Sequence, residues 1–103
     1  MMTESELQAA IVDTAELAGW LVFHDHDSRL NPAGLPDLVL VKPPRVVFLE
    51  LKSEKGRIRP EQQMWLDALA GCDTIASALI RPENLETVIN YLTKKDEPND
   101  QTR

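Results

Sequence analysis

Polar and apolar residues change rhythm several times along this chain, and each change marks an element. From Thr3 to Ala18 the positions Leu7, Ala10, Ile11, Thr14, Leu17 and Ala18 recur at steps of three and four, the spacing of one helix face. Thr3, followed by Glu6 three residues on, has the form of a capping box. Gly19 predicts the C-terminal cap of that helix. The run from Trp20 to His24 then reads as a short strand, and Asp25 to Pro36, rich in turn formers, as a long loop.

Asp37 to Val41 is a second apolar strand and Val46 to Lys52 a third, joined tightly through Lys42, Pro43, Pro44 and Arg45, which predicts an antiparallel pair. Ser53 to Arg59 is a polar turn, in which Gly56 predicts a positive φ. Pro60 suits the first turn of a helix reaching Ala70, with Met64, Trp65, Ala68 and Leu69 inward. Thr74 to Ile80 is a fourth strand. A closing helix begins near Pro82 and turns Leu85, Val88, Ile89 and Leu92 inward. The order α-β-β-β-α-β-α predicts a single-domain α/β sandwich around a mixed sheet. Residues 1–93 form the domain, and the charged segment 94–103 is expected to fray.

One strand breaks its own pattern. Side chains alternate along a strand, so Val46, Phe48, Glu50 and Lys52 share a face, and a face that starts apolar ends in a carboxylate and an ammonium. Burying such ions is costly unless they pair or bind something. Hairpin pairing of the second and third strands would set Asp37, at the start of one, beside Glu50 and Lys52, at the end of the other. Two carboxylates with a backbone carbonyl or water make an oxygen site suited to Mg²⁺ or Mn²⁺.

Composition narrows the picture further. At 103 residues the chain is of one-domain size, and 43% hydrophobic residues exclude a disordered chain. No apolar run approaches the ~20 residues of a membrane span, and the acidic N-terminus lacks the h-region of a secretory signal. A lone cysteine, Cys72, predicts a packing residue in a reducing cytoplasm. The two tryptophans, Trp20 and Trp65, are expected in the core. His24 and His26 have no third nitrogen or thiolate ligand beyond Cys72, which argues against structural zinc. The net charge of −6 argues against a nucleic-acid partner, but its distribution does not: residues 42–59 carry +4, leaving −10 for the rest. A basic strip on an acidic body suits phosphates at one place.

The pattern Pro36-Asp37, then Glu50-Leu51-Lys52 after a gap, resembles the PD-(D/E)XK nuclease superfamily. Together with Gly34-Leu35-Pro36-Asp37, "ELKSEKG" and the helix start "RPEQQMWL", it resembles the VRR-NUC branch, in particular its small stand-alone phage and prophage members, over residues 3 to 92. The resemblance implies a restriction-endonuclease-like fold and a divalent-metal-dependent DNA endonuclease of a bacterial cytoplasm. It further implies Asp37 and Glu50 as metal carboxylates, the Leu51 carbonyl as a further ligand, and Lys52 as the catalytic lysine. Glu4 is matched to a helix glutamate that approaches the metal through water, with Glu6 as its neighbouring alternative. Gln62, with Gln63 as alternative, is matched to a glutamine near the catalytic site. Arg29, Lys55, Arg57 and Arg59 are the candidates for DNA phosphates.

The family also suggests a branched substrate such as a four-way junction, cut by a homodimer that supplies two sites. Two other classes stay open: a nuclease fold used as a DNA-binding or assembly module, with or without a protein partner, and a nuclease for RNA or single strands.

Overall fold

The computed structural model describes residues 1–25 and 30–95. Helix α1 (Glu4–Leu17) leads into strand β1 (Leu21–His24). A long loop then gives way to β2 (Leu38–Lys42) and β3 (Arg45–Leu51), helix α2 (Pro60–Ala70) and strand β4 (Ala76–Ile80). A 3₁₀ turn (Pro82–Asn84) runs into α3 (Leu85–Thr93). The order is the one the sequence pattern predicts. His26, Arg29 and the tail from residue 96 lie outside the described residues.

Helix α1 starts as its capping box requires, with the Thr3 hydroxyl accepting from the Glu6 N–H and the Glu6 carboxylate accepting from the Thr3 N–H. The Thr3 N–H, and after it the Thr3 hydroxyl, hold the Glu6 carboxyl below its usual range. Gly19 follows at φ +92°, a conformation open to glycine at little cost.

The strands form one sheet in the order β1-β2-β3-β4. Strands β1, β2 and β3 run antiparallel in turn, and β4 joins β3 in parallel after the α2 crossover. The register sets Leu38 opposite Leu49 and Leu40 opposite Val47. These residues and Leu51 and Ile80 fill one face, against Leu7, Ile11 and Ala15 of α1 and Val88 and Leu92 of α3. The other face is only partly covered, and Leu21 and Phe23 stay 73% and 49% exposed there on the edge strand β1. Trp20 closes the core and donates its indole N–H to the Leu92 carbonyl (2.9 Å).

Several expectations fail in one informative way. Helix α2 buries Gln62, Leu66 and Leu69, whereas Met64 and Ala68 are exposed and Trp65 is half-buried. Trp65 reaches sideways instead, donating to the Ala33 carbonyl (3.1 Å) in the loop before β2. The helix is rotated relative to its apolar stripe because it packs over the end of the sheet where Glu50 lies, and a polar residue there has a polar partner. Leu17 is also exposed, and α1 buries Ala15 in its place. Cys72 is exposed rather than packed. Gly56 has no positive φ; it is instead a point of close approach, where an added Cβ would stand 3.0 Å from the Ser53 hydroxyl and 3.5 Å from Lys52 Cδ.

Candidate active site

The site is built where β2 begins and β3 ends. Beyond the Leu38–Leu49 pair, the next residues outward are Asp37 and Glu50, which therefore share the face opposite the core. The Asp37 carbonyl accepts the Asp25 N–H (3.1 Å), and this bond prolongs the β1–β2 pairing to Asp37 itself. The Asp37 carboxylate accepts the backbone N–H of Leu51 (2.8 Å), which ties the start of β2 to the end of β3. Two residues on from Glu50, the Lys52 N–H donates to the Ile80 carbonyl (3.0 Å) and fixes the exit of the strand on β4.

Glu50 is the unusual group. It is 1% exposed, one of two buried polar side chains of the described residues, the other being Gln62. One carboxylate oxygen accepts from the Gln62 amide (2.9 Å) and has Lys52 Nζ at 4.0 Å, a long contact for an ion pair. The other, Oε1, is buried with no hydrogen-bond partner. Burial first, and then the neighbouring Asp37 carboxylate, push the Glu50 carboxyl up to about 8, with Lys52 pulling weakly the other way. The Glu50 carboxyl therefore gives up its proton less readily than a free glutamate does.

Gln62 owes its orientation to a helix start. The N–H of Arg59, the N-cap of α2, donates to the Gln62 side-chain carbonyl (2.8 Å), so the amide group must face Glu50. Gln63 points elsewhere and donates to Asp67. The first turn of α2 is in turn pressed against the loop that delivers Asp37. Gly34 lies buried at φ +87°, and a Cβ there would run into the Glu61 backbone carbonyl.

Of the residues matched to the site, the structure brings together Asp37, Glu50, Leu51, Lys52 and Gln62. Glu4 is exposed at the start of α1 and acts on Glu50 only as a weak, like charge. No group of three or more His, Cys, Asp or Glu among the described residues is drawn close enough to hold a metal ion unaided. A cation here would have to rely on two carboxylates and oxygens from backbone or water. The donor set fits one: an orphaned buried carboxylate oxygen beside a second carboxylate is hard, anionic and self-repelling.

The basic strip proves to be two groups. Lys42 donates to the Ala18 carbonyl (2.7 Å) at the end of α1, and Arg45 to the Tyr91 carbonyl (3.0 Å) within α3, both at the far end of β3. Lys55, Arg57 and Arg59 are exposed at the site end. Arg81, which the sequence pattern did not single out, is the cation that organises that end. It donates to the carbonyls of Ser53 (2.8 Å), Gly56 (2.7 Å) and Glu54 (3.3 Å). Its only sequence signal was its place one residue past the strand that pairs with the Glu50 strand.

Two acids and a lysine thus meet at one end of a mixed sheet, backed by a glutamine from the crossover helix, and the chain that carries them matches a nuclease-type domain. The VRR-NUC domain model matches residues 2–81, and the chain belongs to that family, consistent with the PD-(D/E)XK superfamily. A solved structure described as a VRR_NUC domain shares the fold, with a TM-score of 0.69 at 20% identity over 87% of this chain and 98% of that one. No curated protein matches the chain significantly. Among the described residues no helix is long and apolar enough to cross a membrane.

Proposed function

We propose that the protein is a divalent-metal-dependent DNA endonuclease that hydrolyses phosphodiester bonds at the Asp37–Glu50–Lys52 site. The observation that carries this reading is the unpartnered Glu50 Oε1, buried beside a second carboxylate. Such an atom costs about 1–3 kcal/mol of lost solvation, and the like charge of Asp37 beside it makes a cation the ligand that would relieve both. Asp37 and Glu50, with the Leu51 carbonyl, would hold Mg²⁺ or Mn²⁺, and Glu4 would contribute only through water. When bound, the cation supplies neutralisation of phosphoryl charge and a more acidic water.

The protein's own groups do the rest. Gln62 fixes one Glu50 oxygen and leaves the other turned away from it. Asp37 is held in place by the Leu51 N–H. Lys52 orients the attacking water and offsets the negative charge that grows on phosphorus as the leaving oxygen departs. Lys55, Arg57 and Arg59 hold flanking phosphates.

Cleavage of plasmid, linear duplex, single strands, RNA and a four-way junction, each with Mg²⁺, Mn²⁺ or EDTA, tests the reading. Metal-dependent cutting of DNA that is lost in Lys52→Ala supports it. A folded wild-type protein that cuts nothing in any metal overturns it and favours an assembly module. A branched substrate is the finer proposal: paired cuts need two sites, and one domain supplies one. A homodimer formed through the exposed apolar residues of β1 would supply both. Sedimentation as a monomer with and without junction DNA would reject that version.

A further inference from the structure

The segment that follows Lys52 is wrapped around a cation. Residues 53–56 fold back on themselves, the Gly56 N–H donating to the Ser53 carbonyl (3.2 Å). The Arg81 Nη1 atom sits among the carbonyls of Ser53, Glu54 and Gly56. The Arg81 backbone is itself held, its N–H donating to the Asn84 side chain (2.8 Å). Guanidinium carries five N–H donors in a rigid fork, and the loop carbonyls occupy one nitrogen. The Nε and Nη2 groups have no hydrogen-bond partner among the described residues and are not buried.

Neutral carbonyls hold this arginine, and no carboxylate among the described residues pairs with it. What it faces is an open bowl of about 420 Å³ lined by Glu54, Lys55, Gly56, Arg57, Ile58 and Arg81. Three cations against one acid line it. The bowl abuts the site, since Gly56 lies against the stem of Lys52, and Lys52 and Arg81 flank the same backbone bond to Ile80.

We infer that this bowl is a phosphate subsite for the nucleic-acid strand next to the scissile phosphate, with Arg81 as its fixed donor and Lys55 and Arg57 as its rim. The inference rests on the nuclease reading for the identity of the ligand, and adds Arg81 and the bowl that gathers it with Lys55 and Arg57. Arg81 has two tasks in one side chain. Its inner nitrogen fixes the loop that follows the catalytic lysine, and its outer edge is preorganised, by that same fixing, to meet two phosphate oxygens. An arginine already held in place loses little rotamer freedom on binding, which is why it and not the exposed Lys55 should dominate.

The test is binding rather than cutting. Anisotropy of a labelled duplex oligonucleotide is titrated in EDTA across a salt series, for wild type, Arg81→Gln, Arg81→Lys and the pair Lys55→Gln/Arg57→Gln. Removing one cation that neutralises a phosphate should flatten the slope of log affinity against log salt by about 0.9. On that basis Arg81→Gln is expected to weaken binding about 10-fold at 0.1 M salt with a slope lower by about 1, and Arg81→Lys to recover most of that slope. The rim pair is expected to flatten it by up to about 2.

The rim variants touch no staple, so they test the bowl even if Arg81→Gln fails to fold, which urea unfolding reads. An unchanged slope in Arg81→Gln makes Arg81 a brace only, and an unchanged slope in the rim pair removes the subsite. Salt-independent binding by the wild type overturns the inference outright. A protein that cuts DNA yet keeps its slope in all variants loses the subsite and the phosphate role of Lys55 and Arg57, while the catalytic reading of Asp37, Glu50 and Lys52 stands. One that shows the slopes but never cuts fails only as a nuclease.

Discussion

The two ends of β3 carry the same kinds of charge and treat them in opposite ways. At the Arg45 end each cation is engaged inside the fold. Arg45 stacks against the rings of Trp20 (4.7 Å) and Tyr91 (5.2 Å) and donates to the Tyr91 carbonyl, while Lys42 caps the end of α1. Cations at helix C-termini meet free carbonyls and the negative end of the dipole. At the Glu50 end, the buried carboxylate keeps an oxygen without a partner, its lysine stands 4.0 Å away, and the neighbouring Asp37 adds a like charge. At the first end the guanidinium lies against aromatic rings and a helix carbonyl, so its charge is met inside the fold. At the second, a buried carboxylate oxygen stands beside a like charge, which the proposed cation would relieve.

Four experiments put that contrast at risk. The largest effect should come from exchanging one lysine at each end. Lys52→Met is expected to lower DNA cleavage by about 10³-fold, in line with the removal of one group that stabilises transition-state charge, whereas Lys42→Met should leave cleavage within about 2-fold. Equal losses at both ends would erase the distinction.

The second is the pH dependence of stability without metal. The folded Glu50 carboxyl lies at about 8, above the 4.5 of a free glutamate side chain, so the folded state binds the extra proton. Its stabilising contribution is complete below about 4.5 and is lost as pH rises, until it is gone above about 8. The slope is on the order of 1 kcal/mol per pH unit in that window. Glu50→Gln should abolish this slope in urea unfolding and be the more stable protein at about pH 8. If wild type and variant run parallel, the buried carboxylate is not as isolated as its geometry says.

Third, Arg45→Met should cost about 2 kcal/mol of stability by urea unfolding, because the ring stacking and a hydrogen bond go with the guanidinium. Cleavage per folded molecule should be unchanged. A loss of cleavage at full stability would couple the two ends. Smallest of all, the Lys42→Met protein should be about 0.5–1 kcal/mol less stable for want of its helix-end cation, again by urea unfolding.

Much of this site could be read along the chain because it is encoded locally. Alternation placed Glu50 and Lys52 on one face, and the four-residue connection from Lys42 to Arg45 forced a hairpin whose register set Asp37 beside Glu50. The cap of α1 was equally local, since Thr3 and Glu6 satisfy each other across three residues. Gln62 is where local reading misled in part: the apolar stripe of α2 pointed to Met64 and Ala68, because periodicity carries no sign that the surface awaiting the helix is a carboxylate.

The linear pattern sufficed for the elements, their order, the hairpin and the acid–acid–lysine face, because strand alternation and turn length act over a few residues. Which cations stay free was settled by the folded molecule alone. Lys42, Arg45, Lys55 and Arg57 look alike along the chain, and their difference comes from helix carbonyls brought to Lys42 and Arg45 from 24 and 46 residues away. The same holds for the place of Arg81, whose three carbonyl partners lie 25 to 28 residues before it. A charge is consumed or kept by what packs against it, and packing is the one thing a local pattern does not contain.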